Sequence, residues 1–251
     1  MNKRYIVTPD KHFPLADTQA IRTLCKSIGI IRPDGYIDLG DTGEWNTFSA
    51  WKWKRKAKPR LEWYLPELIT EVAEVNKGMD LIDEALDKAH VKERHFCQGN
   101  HEVWMDNFIE EYPYLPQYGT YKALNLKGRG YDYHLAGKML KIGKLNFYHG
   151  HLYGGMHHAA NHLRRYGTDI MYGHFHDIQV STGTSDEGPV TAYSIGCLKS
   201  LLDGDNQFLR NRPTNWKHAF AVVDFIGKGH HVSIIEIVNG RAVWGDQIIA
   251  S

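Results

Sequence analysis

The chain has 251 residues, the length of one large domain or at most two. Its 42% hydrophobic residues suffice for a core, while 24% charged residues and a mean hydropathy of -0.46 exclude a chain built of membrane spans. Thirty Lys and Arg against 29 Asp and Glu leave a formal charge of +1, so the net charge favours no class of partner. The unusual count is 15 His, the residue type that most often binds metals.

The amino terminus has no apolar run of the kind found in signal peptides, and no stretch of 18 apolar residues follows. We therefore expect a soluble, cytoplasmic protein. The three cysteines, Cys25, Cys97 and Cys197, are odd in number and form no CxxC pair. They predict neither a disulfide framework nor a thiolate zinc site, and we expect them to be small buried hydrophobic residues.

The first forty residues read as a strand, a helix and a second strand. RYIVT at 4–8 is β-rich, and GYIDLGD at 35–41 is an apolar run that ends in Gly and Asp. Between them, helical spacing links the apolar residues Ile21, Leu24, Cys25 and Ile28, and Gly29 predicts the end of the helix. A βαβ unit of this kind predicts an α/β fold with a parallel or mixed sheet.

The next segment changes character twice. Residues 51–60, WKWKRKAKPR, contain six basic residues and two Trp. From Pro66 to Ala89 the apolar residues then follow helical spacing, at Leu68, Val72, Val75, Met79, Ile82, Leu86 and Ala89. Gly78 interrupts this seam, so one long helix and two shorter ones are both possible. The seam predicts a core contact or a homodimer contact.

After residue 140 the pattern becomes rich in strands. Five short apolar runs are KLNFYHGH, DIMYGHFH, PVTAYSIG, HAFAVVDF and HVSIIEIV, and a helix is predicted at 156–166. No repeat or low-complexity linker divides the sequence. We therefore expect a single domain over residues 1–251 with a helical insertion at about 45–94.

Five places put metal-binding side chains where a predicted strand gives way to a loop. They are Asp10 and His12 in PDKH, Asp41 in LGDTGE, Asn100 and His101 in GNHE, His149 in HGH, and His174 and His176 in GHFH. Loops at strand ends are where α/β sheets place their sites. Glycine or proline beside each place permits a sharp turn. Five such places in one chain favour a shared metal site over isolated structural histidines.

The spacing suits a cluster of two metals. Alternate residues in D-x-H and H-x-H point to the same side of an extended backbone, so each pair can bind one side of the cluster. Imidazole with carboxylate and amide oxygens suits Mn, Fe, Zn, Ni or Co. Two ions about 3.5 to 4 Å apart, bridged by a carboxylate, would activate a hydroxide for in-line attack on phosphorus. The site therefore predicts phosphoester hydrolysis.

The order D-x-H, G-D-x-x-E, G-N-H-E, H-G-H and G-H-x-H over residues 10–176 resembles that of the calcineurin-like metallophosphoesterase superfamily. The resemblance implies two mixed β-sheets packed as a sandwich and flanked by helices. It implies two divalent ions, with Mn favoured. One would be bound by Asp10, His12, Asp41 and His176, and the other by Asp41, Asn100, His149 and His174, so that Asp41 bridges them. His101 would donate a proton to the leaving oxygen. Glu44, which stands where many members have an Asp, would orient His101.

Two departures from the family pattern bear on the substrate. Trp45 stands where the serine/threonine protein phosphatases of the family have a phosphate-binding Arg, and HGH at 149–151 replaces their HGG. Both disfavour a protein phosphatase and favour a phosphodiesterase-like or small-phosphoester branch. A phosphodiester or nucleotide is the favoured substrate, and a phosphomonoesterase or protein phosphatase is the alternative. His151 is a candidate for contact with the substrate phosphate or leaving group. The basic segment 51–60 begins ten residues after Asp41 and is a candidate for nucleic-acid contact.

Other histidines receive structural interpretations. His157, His158 and His162 lie on the predicted helix without an acidic residue nearby in the sequence, and we interpret them as a polar helix face. A nuclease subunit remains an open alternative for the whole protein. So does a catalytically silent, metal-stabilised scaffold that recruits a partner through the long helix, although a scaffold has no need of a proton donor such as His101.

Overall fold

The structure is a computed structural model, and it describes residues 2–49 and 57–251. The strands are β1 (Asn2–Thr8), β2 (Gly35–Asp38), β3 (Glu93–Cys97), β4 (Tyr131–His134), β5 (Leu140–Ile142), β6 (Leu145–Phe147), β7 (Ile170–Tyr172), β8 (Ile178–Ser185), β9 (Gly188–Ile195), β10 (Ala219–Ile226), β11 (Gly229–Glu236), β12 (Arg241–Trp244) and β13 (Gln247–Ala250). The α-helices are α1 (Thr18–Ile31), α2 (Leu61–Lys88), α3 (Asn100–Glu111), α4 (Thr120–Ala123) and α5 (His158–Tyr166), and short 3-10 helices span Pro116–Tyr118 and Asp203–Leu209.

Two mixed sheets contain β1 to β11, and β12 pairs with β13 in a separate antiparallel sheet. The first has the order β11-β10-β1-β2-β3-β4. Strands β1 to β4 run parallel to one another, and β10 is antiparallel to both of its neighbours, β1 and β11. The second has the order β5-β6-β7-β9-β8, in which β6, β7 and β9 run parallel. The parallel pairing of β1 with β2 confirms the predicted βαβ unit. Two mixed sheets with helices are the fold class that the sequence predicted.

Side-chain alternation along β1 shows how the layers pack. Tyr5 and Val7 belong to the core between the two sheets, together with Phe147 of the second sheet. Ile6 points the other way and packs in the core beneath α1 and α2. The outer face of the second sheet is covered by α5, through residues such as Leu163. The order of layers is therefore helices, first sheet, second sheet and helix.

Helix α1 forms over the predicted apolar spacing and begins after Asp17, whose side chain accepts a hydrogen bond from the backbone N–H of Ala20 at 2.7 Å. The predicted stop at Gly29 is wrong. The helix continues to Ile31, and Arg32 in the left-handed conformation ends it. Ile31 is buried in the core, so tertiary packing outweighs the weak helix propensity of glycine.

Helix α2 occupies most of the predicted insertion and is one continuous helix. Gly78 does not interrupt it. A Cβ at this position would lie 2.3 Å from the ring of Phe13, so the absence of a side chain lets the helix approach that ring. The predicted seam faces the core of the chain. A homodimer through this helix stays a prediction and would have to use its exposed residues, such as Ile69 and Leu81.

The three cysteines are free, and Cys97 and Cys197 are buried, as predicted, whereas Cys25 is half-buried. Among the described residues, no helix combines the length and the apolar character that crossing a membrane requires.

Candidate metal centre

The candidate ligands lie on five loops that follow the carboxyl ends of β1, β2, β3, β6 and β7. The first three strands are parallel neighbours in one sheet, and the last two are parallel neighbours in the other. Because parallel strands end at the same edge of a sheet, these loops meet at one edge of the sandwich. The side chains gathered there are Asp10, His12, Asp41, Asn100, His101, His149, His174 and His176.

The first ligand group consists of Asp10, His12 and His176, whose ligand atoms lie within 4.8 Å of one another. The Nε2 atoms of His12 and His176 are 3.1 Å apart. Asp10 Oδ1 lies 3.5 Å from His176 Nε2 and 3.9 Å from His12 Nε2. All three residues are buried. The backbone N–H of His174 donates to both carboxylate oxygens of Asp10, at 3.0 and 2.8 Å, and so joins the GHFH loop to the PDKH loop.

The second ligand group consists of Asp41, His149 and His174. His149 Nε2 lies 3.1 Å from Asp41 Oδ2 and 3.2 Å from His174 Nδ1, and it lies 2.9 Å from Asn100 Oδ1. Asp41 Oδ2 also lies 4.0 Å from His12 Nε2. This carboxylate therefore stands between the two groups, where a bridging ligand would have to be.

The surroundings of His149 fit a cation. Its Nδ1–H donates to the carbonyl of Leu39 at 3.0 Å, so in the neutral ring Nε2 presents a lone pair to the oxygens of Asp41 and Asn100. Burial opposes a charge on His149, but the carboxylate of Asp41 outweighs it and raises the pKa to about 9. The cluster thus requires a positive charge, either a proton or a metal. Its imidazole, carboxylate and amide donors suit a divalent transition metal.

Other ligands are held in the protonation state that metal binding needs. Burial lowers the pKa of His12 to about 4, and burial together with the charge of His149 lowers the pKa of His174 to about 3. Both rings are therefore neutral at pH 7. Burial opposes the ionisation of Asp10 and Asp41, but the neighbouring histidines hold the pKa of each carboxyl below its usual range.

The backbone is strained at five of the seven candidate ligands. Positive φ angles occur at Asp10 (30°), His12 (54°), Asp41 (47°), His174 (69°) and His176 (62°). Such conformations cost about 1–3 kcal/mol each and persist where the surrounding structure enforces them. Five such residues therefore lie together at this edge of the sandwich.

Two glycines of the sequence motifs make room for the carboxylates. A Cβ at Gly99 would lie 2.2 Å from Asp41 Oδ1, and a Cβ at Gly173 would lie 2.1 Å from Asp10 Oδ2. Any side chain at either position would therefore displace a candidate ligand.

His101 lies beside both groups and is fixed by its backbone and its ring. Its backbone N–H donates to Asp41 Oδ1 at 2.9 Å, and its ring Nδ1–H donates to the carbonyl oxygen of Glu44 at 2.7 Å. The opposite ring nitrogen, Nε2, lies 3.8 Å from Asp41 Oδ2. This nitrogen is thus turned toward the centre, as a proton donor would have to be.

The carboxylate of Glu44 contacts a different histidine from the one predicted. Glu44 Oε2 lies 2.9 Å from His12 Nδ1 and accepts a hydrogen bond from the buried ammonium group of Lys199 at 2.6 Å. Burial opposes its ionisation, but His12 and Lys199 lower the pKa of Glu44 to about 2. Since the backbone of Glu44 already occupies Nδ1 of His101, the longer side chain extends past that ring to His12.

His151 is half-buried near the second group, with its ring centroid 5.7 Å from that of His149 and 6.2 Å from that of His174. Burial, followed by the charge of His149, lowers the pKa of His151 to about 4. Its Nδ1 is buried and has no hydrogen-bond partner among the described residues. The position is compatible with the predicted contact to substrate, which stays a prediction.

The interpretation of the α5 histidines as a polar helix face is wrong for two of the three. His157 is exposed, but His158 and His162 are buried. Nε2 of His158 lies 3.0 Å from Asp177 Oδ1, and its Nδ1 lies 2.7 Å from the hydroxyl of Tyr172. The acidic partner follows His158 by nineteen positions, across β7, so proximity in the sequence did not reveal it.

Glu102 is a residue of the centre to which the sequence analysis gave no role. It is completely buried, and its carboxylate accepts hydrogen bonds from the backbone N–H groups of Asp41, Thr42 and Gly99, at 2.8, 3.0 and 3.0 Å, and from the indole N–H of Trp45 at 3.0 Å. Glu102 therefore shapes the loop that carries Asp41. Its place as the last residue of GNHE, three residues into α3, is typical of a capping glutamate and was the available signal.

The predicted nucleic-acid contact lies mostly outside the described residues, because residues 51–56 are among those not described. Within the described part of this segment, Lys58 Nζ lies 2.6 Å from Glu111 Oε2 and over the rings of Tyr64, Phe108 and Tyr112. The charge of Lys58 is therefore used in contacts within the protein.

Comparison with known proteins gives distant relatives. No protein-family model matches the chain. The Gene 54 proteins of Mycobacterium phage L5 and Mycobacterium phage D29 are 22% and 23% identical to it over 263 residues, and each alignment covers 96% of this chain and 96% of the relative.

Solved structures resemble the chain at low sequence identity. Wild-type Vps29 from Entamoeba histolytica, complexed with Zn²⁺, is 13% identical with a TM-score of 0.48 and covers 96% of each chain. YfcE, a phosphoesterase from E. coli, is 14% identical with a TM-score of 0.42 and covers 88% of each chain. Another solved chain reaches a TM-score of 0.53 at 10% identity, over 94% of this protein and 99% of its own length. At these identities the likeness concerns the fold alone.

Proposed function

We propose that the protein is a metal-dependent phosphoesterase that hydrolyses phosphodiesters. The observation that carries this proposal is the convergence of two largely buried ligand groups beside His101. The groups share one edge of the sandwich, and the carboxylate of Asp41 stands between them. His101 faces this centre and is not among the proposed ligands of either cation. It is therefore suited to hold a proton for a leaving oxygen.

The donor set divides between two cations. Asp10, His12, His176 and Asp41 would bind one, and Asp41, Asn100, His149 and His174 would bind the other. When bound, the cations would supply Lewis-acid stabilisation of the phosphoryl oxygens and would lower the pKa of a coordinated water. We propose Mn²⁺, and Fe, Zn, Ni or Co suit the same donors.

The residues of the chain supply orientation and a proton. The hydrogen bond from His101 Nδ1–H to the carbonyl of Glu44 fixes the ring with Nε2 toward the centre, because a carbonyl oxygen can only accept. In the doubly protonated ring, Nε2 donates its proton to the leaving oxygen. His151 contacts a phosphoryl oxygen of the substrate from the side of the second ligand group.

Hydrolysis of bis-p-nitrophenyl phosphate tests the proposal. The purified protein should hydrolyse this diester with added Mn²⁺, and EDTA should abolish the activity. Asp41→Ala and His149→Ala should lose metal and turnover. His101→Ala should keep its metal, measured by elemental analysis, and lose about 10²- to 10⁴-fold in kcat. His231→Ala removes an exposed histidine of β11 and serves as the matched control.

The same assay separates the alternatives. A faster rate on p-nitrophenyl phosphate than on the diester would make the protein a phosphomonoesterase. Suppose instead that the protein binds two metals, loses them in Asp41→Ala or His149→Ala, and hydrolyses neither ester. It would then be a catalytically silent scaffold. Unchanged turnover in Asp41→Ala would contradict the two-metal site itself.

A further inference from the structure

A row of five aromatic rings crosses the candidate centre, from Trp104 of α3 to Trp216. The ring of Trp104 lies against that of His101, with centroids 4.0 Å apart and planes 32° from parallel. The row continues from His101 to His12 at 4.8 Å and from His12 to His176 at 5.0 Å. It ends where Trp216 lies 4.3 Å from His176.

The indoles of Trp104 and Trp216 are more exposed than that of Trp45, a tryptophan of the core. Trp45 is completely buried and uses its N–H on Glu102. Trp104 and Trp216 are half-buried and stand at the outer ends of the row, whereas His12 in its middle is buried. Beyond Trp216 lies Phe208, which is 61% exposed with its ring 6.2 Å away. Aromatic surface therefore continues outward on this side of the centre.

The position of Trp104 has a chemical consequence that rests on the proposed function. His101 is the residue that would deliver a proton to the leaving oxygen, and the indole of Trp104 lies against its ring. The half-buried indole, which also packs against the main core, thus lies next to the position proposed for the leaving group. A flat aromatic ring gains dispersion and quadrupole energy on such a surface, and a saturated group gains less.

We infer that the substrate is a nucleotide phosphodiester whose bases stack on these tryptophans. The base of the leaving nucleoside stacks on Trp104, and the base of the nucleoside that keeps the phosphate stacks on Trp216. A diester with planar groups on both sides of the phosphorus matches a site with an aromatic surface at each end. Stacking accepts any base, so the site selects nucleotides without selecting a sequence.

Dinucleotides that lack one base test this inference. The three substrates are an intact dinucleotide, one abasic at the leaving nucleoside and one abasic at the other nucleoside, so the leaving oxygen stays chemically matched. Removal of either base should lower kcat/KM between about 5-fold and about 100-fold. Trp104→Ala should erase only the effect of the leaving base, and Trp216→Ala only that of the other base. Trp104→Phe should keep most of the effect, and Trp63→Ala, which removes a tryptophan 75% exposed on α2, should change neither.

Each outcome decides one of the two claims. Intact and abasic dinucleotides hydrolysed at equal rates would overturn the inference, as would a Trp104→Ala variant that slows both equally, since that is the result expected of a merely structural residue. Failure to hydrolyse any diester, including bis-p-nitrophenyl phosphate, would overturn the proposed function instead. In that case, calorimetric titration of metal-free protein with the same dinucleotides decides the inference, because stacking should still distinguish the intact from the abasic ligand.

Discussion

The ammonium nitrogen of Lys11 lies 2.8 Å from Oδ1 of Asp38, and both side chains are buried. Lys11 stands between the candidate ligands Asp10 and His12. Asp38 also accepts hydrogen bonds from the hydroxyl of Thr42 at 2.9 Å and from the backbone N–H of Gly40 at 3.0 Å. The ion pair therefore joins the loop of the first ligand group to the loop that carries Asp41.

Removal of the buried cation should destabilise the protein. Lys11→Met leaves the charge of Asp38 without its partner in the interior, and we expect a loss of about 3–5 kcal/mol in the free energy of unfolding, measured with urea. Adding Asp38→Asn should restore part of the loss, because no buried charge remains. The exposed pair of Lys88 with Glu84 is the control, and Lys88→Met should cost less than about 1 kcal/mol. A similarly small loss for Lys11→Met would contradict the structural role.

Alanine at two helical glycines should have opposite effects. Gly78→Ala places a Cβ against Phe13, and overpacking of this kind costs about 1–3 kcal/mol even though alanine favours helix. Gly29→Ala in α1 meets no atom within 4 Å, so we expect a gain of about 0.5–1 kcal/mol. Thermal and urea unfolding measure both changes. Equal gains in the two variants would show that Phe13 does not contact the helix as described.

Glutamine at position 44 separates two roles for this side chain. Because the carboxylate of Glu44 contacts His12 and Lys199, Glu44→Gln should weaken metal binding by about 10- to 100-fold. Turnover at saturating metal should change little, since the backbone carbonyl still holds His101. Low turnover with full metal occupancy would instead support the role predicted from the sequence, in which the side chain of Glu44 orients His101.

Metal uptake should release a proton from His149. Its pKa of about 9 keeps the ring protonated at pH 7, and binding through Nε2 requires the neutral form. The apparent affinity should therefore rise with pH, by up to tenfold per unit, as the pH approaches 9. Calorimetric titration with Mn²⁺ in buffers of different ionisation enthalpy at pH 7 measures the proton release. Uptake without proton release would contradict the assignment of His149 as a ligand.

The strands and helices were predictable from the sequence where residues close together in the chain determine them. The strand 4–8, the helix that begins after Asp17 and the strands after residue 140 follow from apolar spacing, and the structure confirms them. The end of α1 was not predictable, because burial of Ile31 depends on a sheet formed by distant segments. The same is true of Gly78, whose role depends on a ring 65 positions earlier in the chain.

The candidate site was predictable in its membership and less so in its contacts. The ligand candidates could be identified as one group because each follows a predicted strand and because the motifs come in a recognisable order. The role of each residue stays a prediction. The partner of the Glu44 carboxylate and the burial of His158 depend on three-dimensional distances that no spacing encodes. Glu102 was missed because its partners are backbone N–H groups of two loops, and its capping position at the third residue of α3 was the one sign of them in the sequence.

The left-handed backbone at Asp10, His12, Asp41, His174 and His176 has an evolutionary consequence. Glycine adopts that conformation without strain, so the backbone geometry alone offers no reason to keep these larger side chains there. Descendants that no longer used the centre would be free to lose them one at a time, and each loss would relax the backbone. A lineage that retains all five would therefore be one in which these side chains, through binding or through their own hydrogen bonds, still affect fitness.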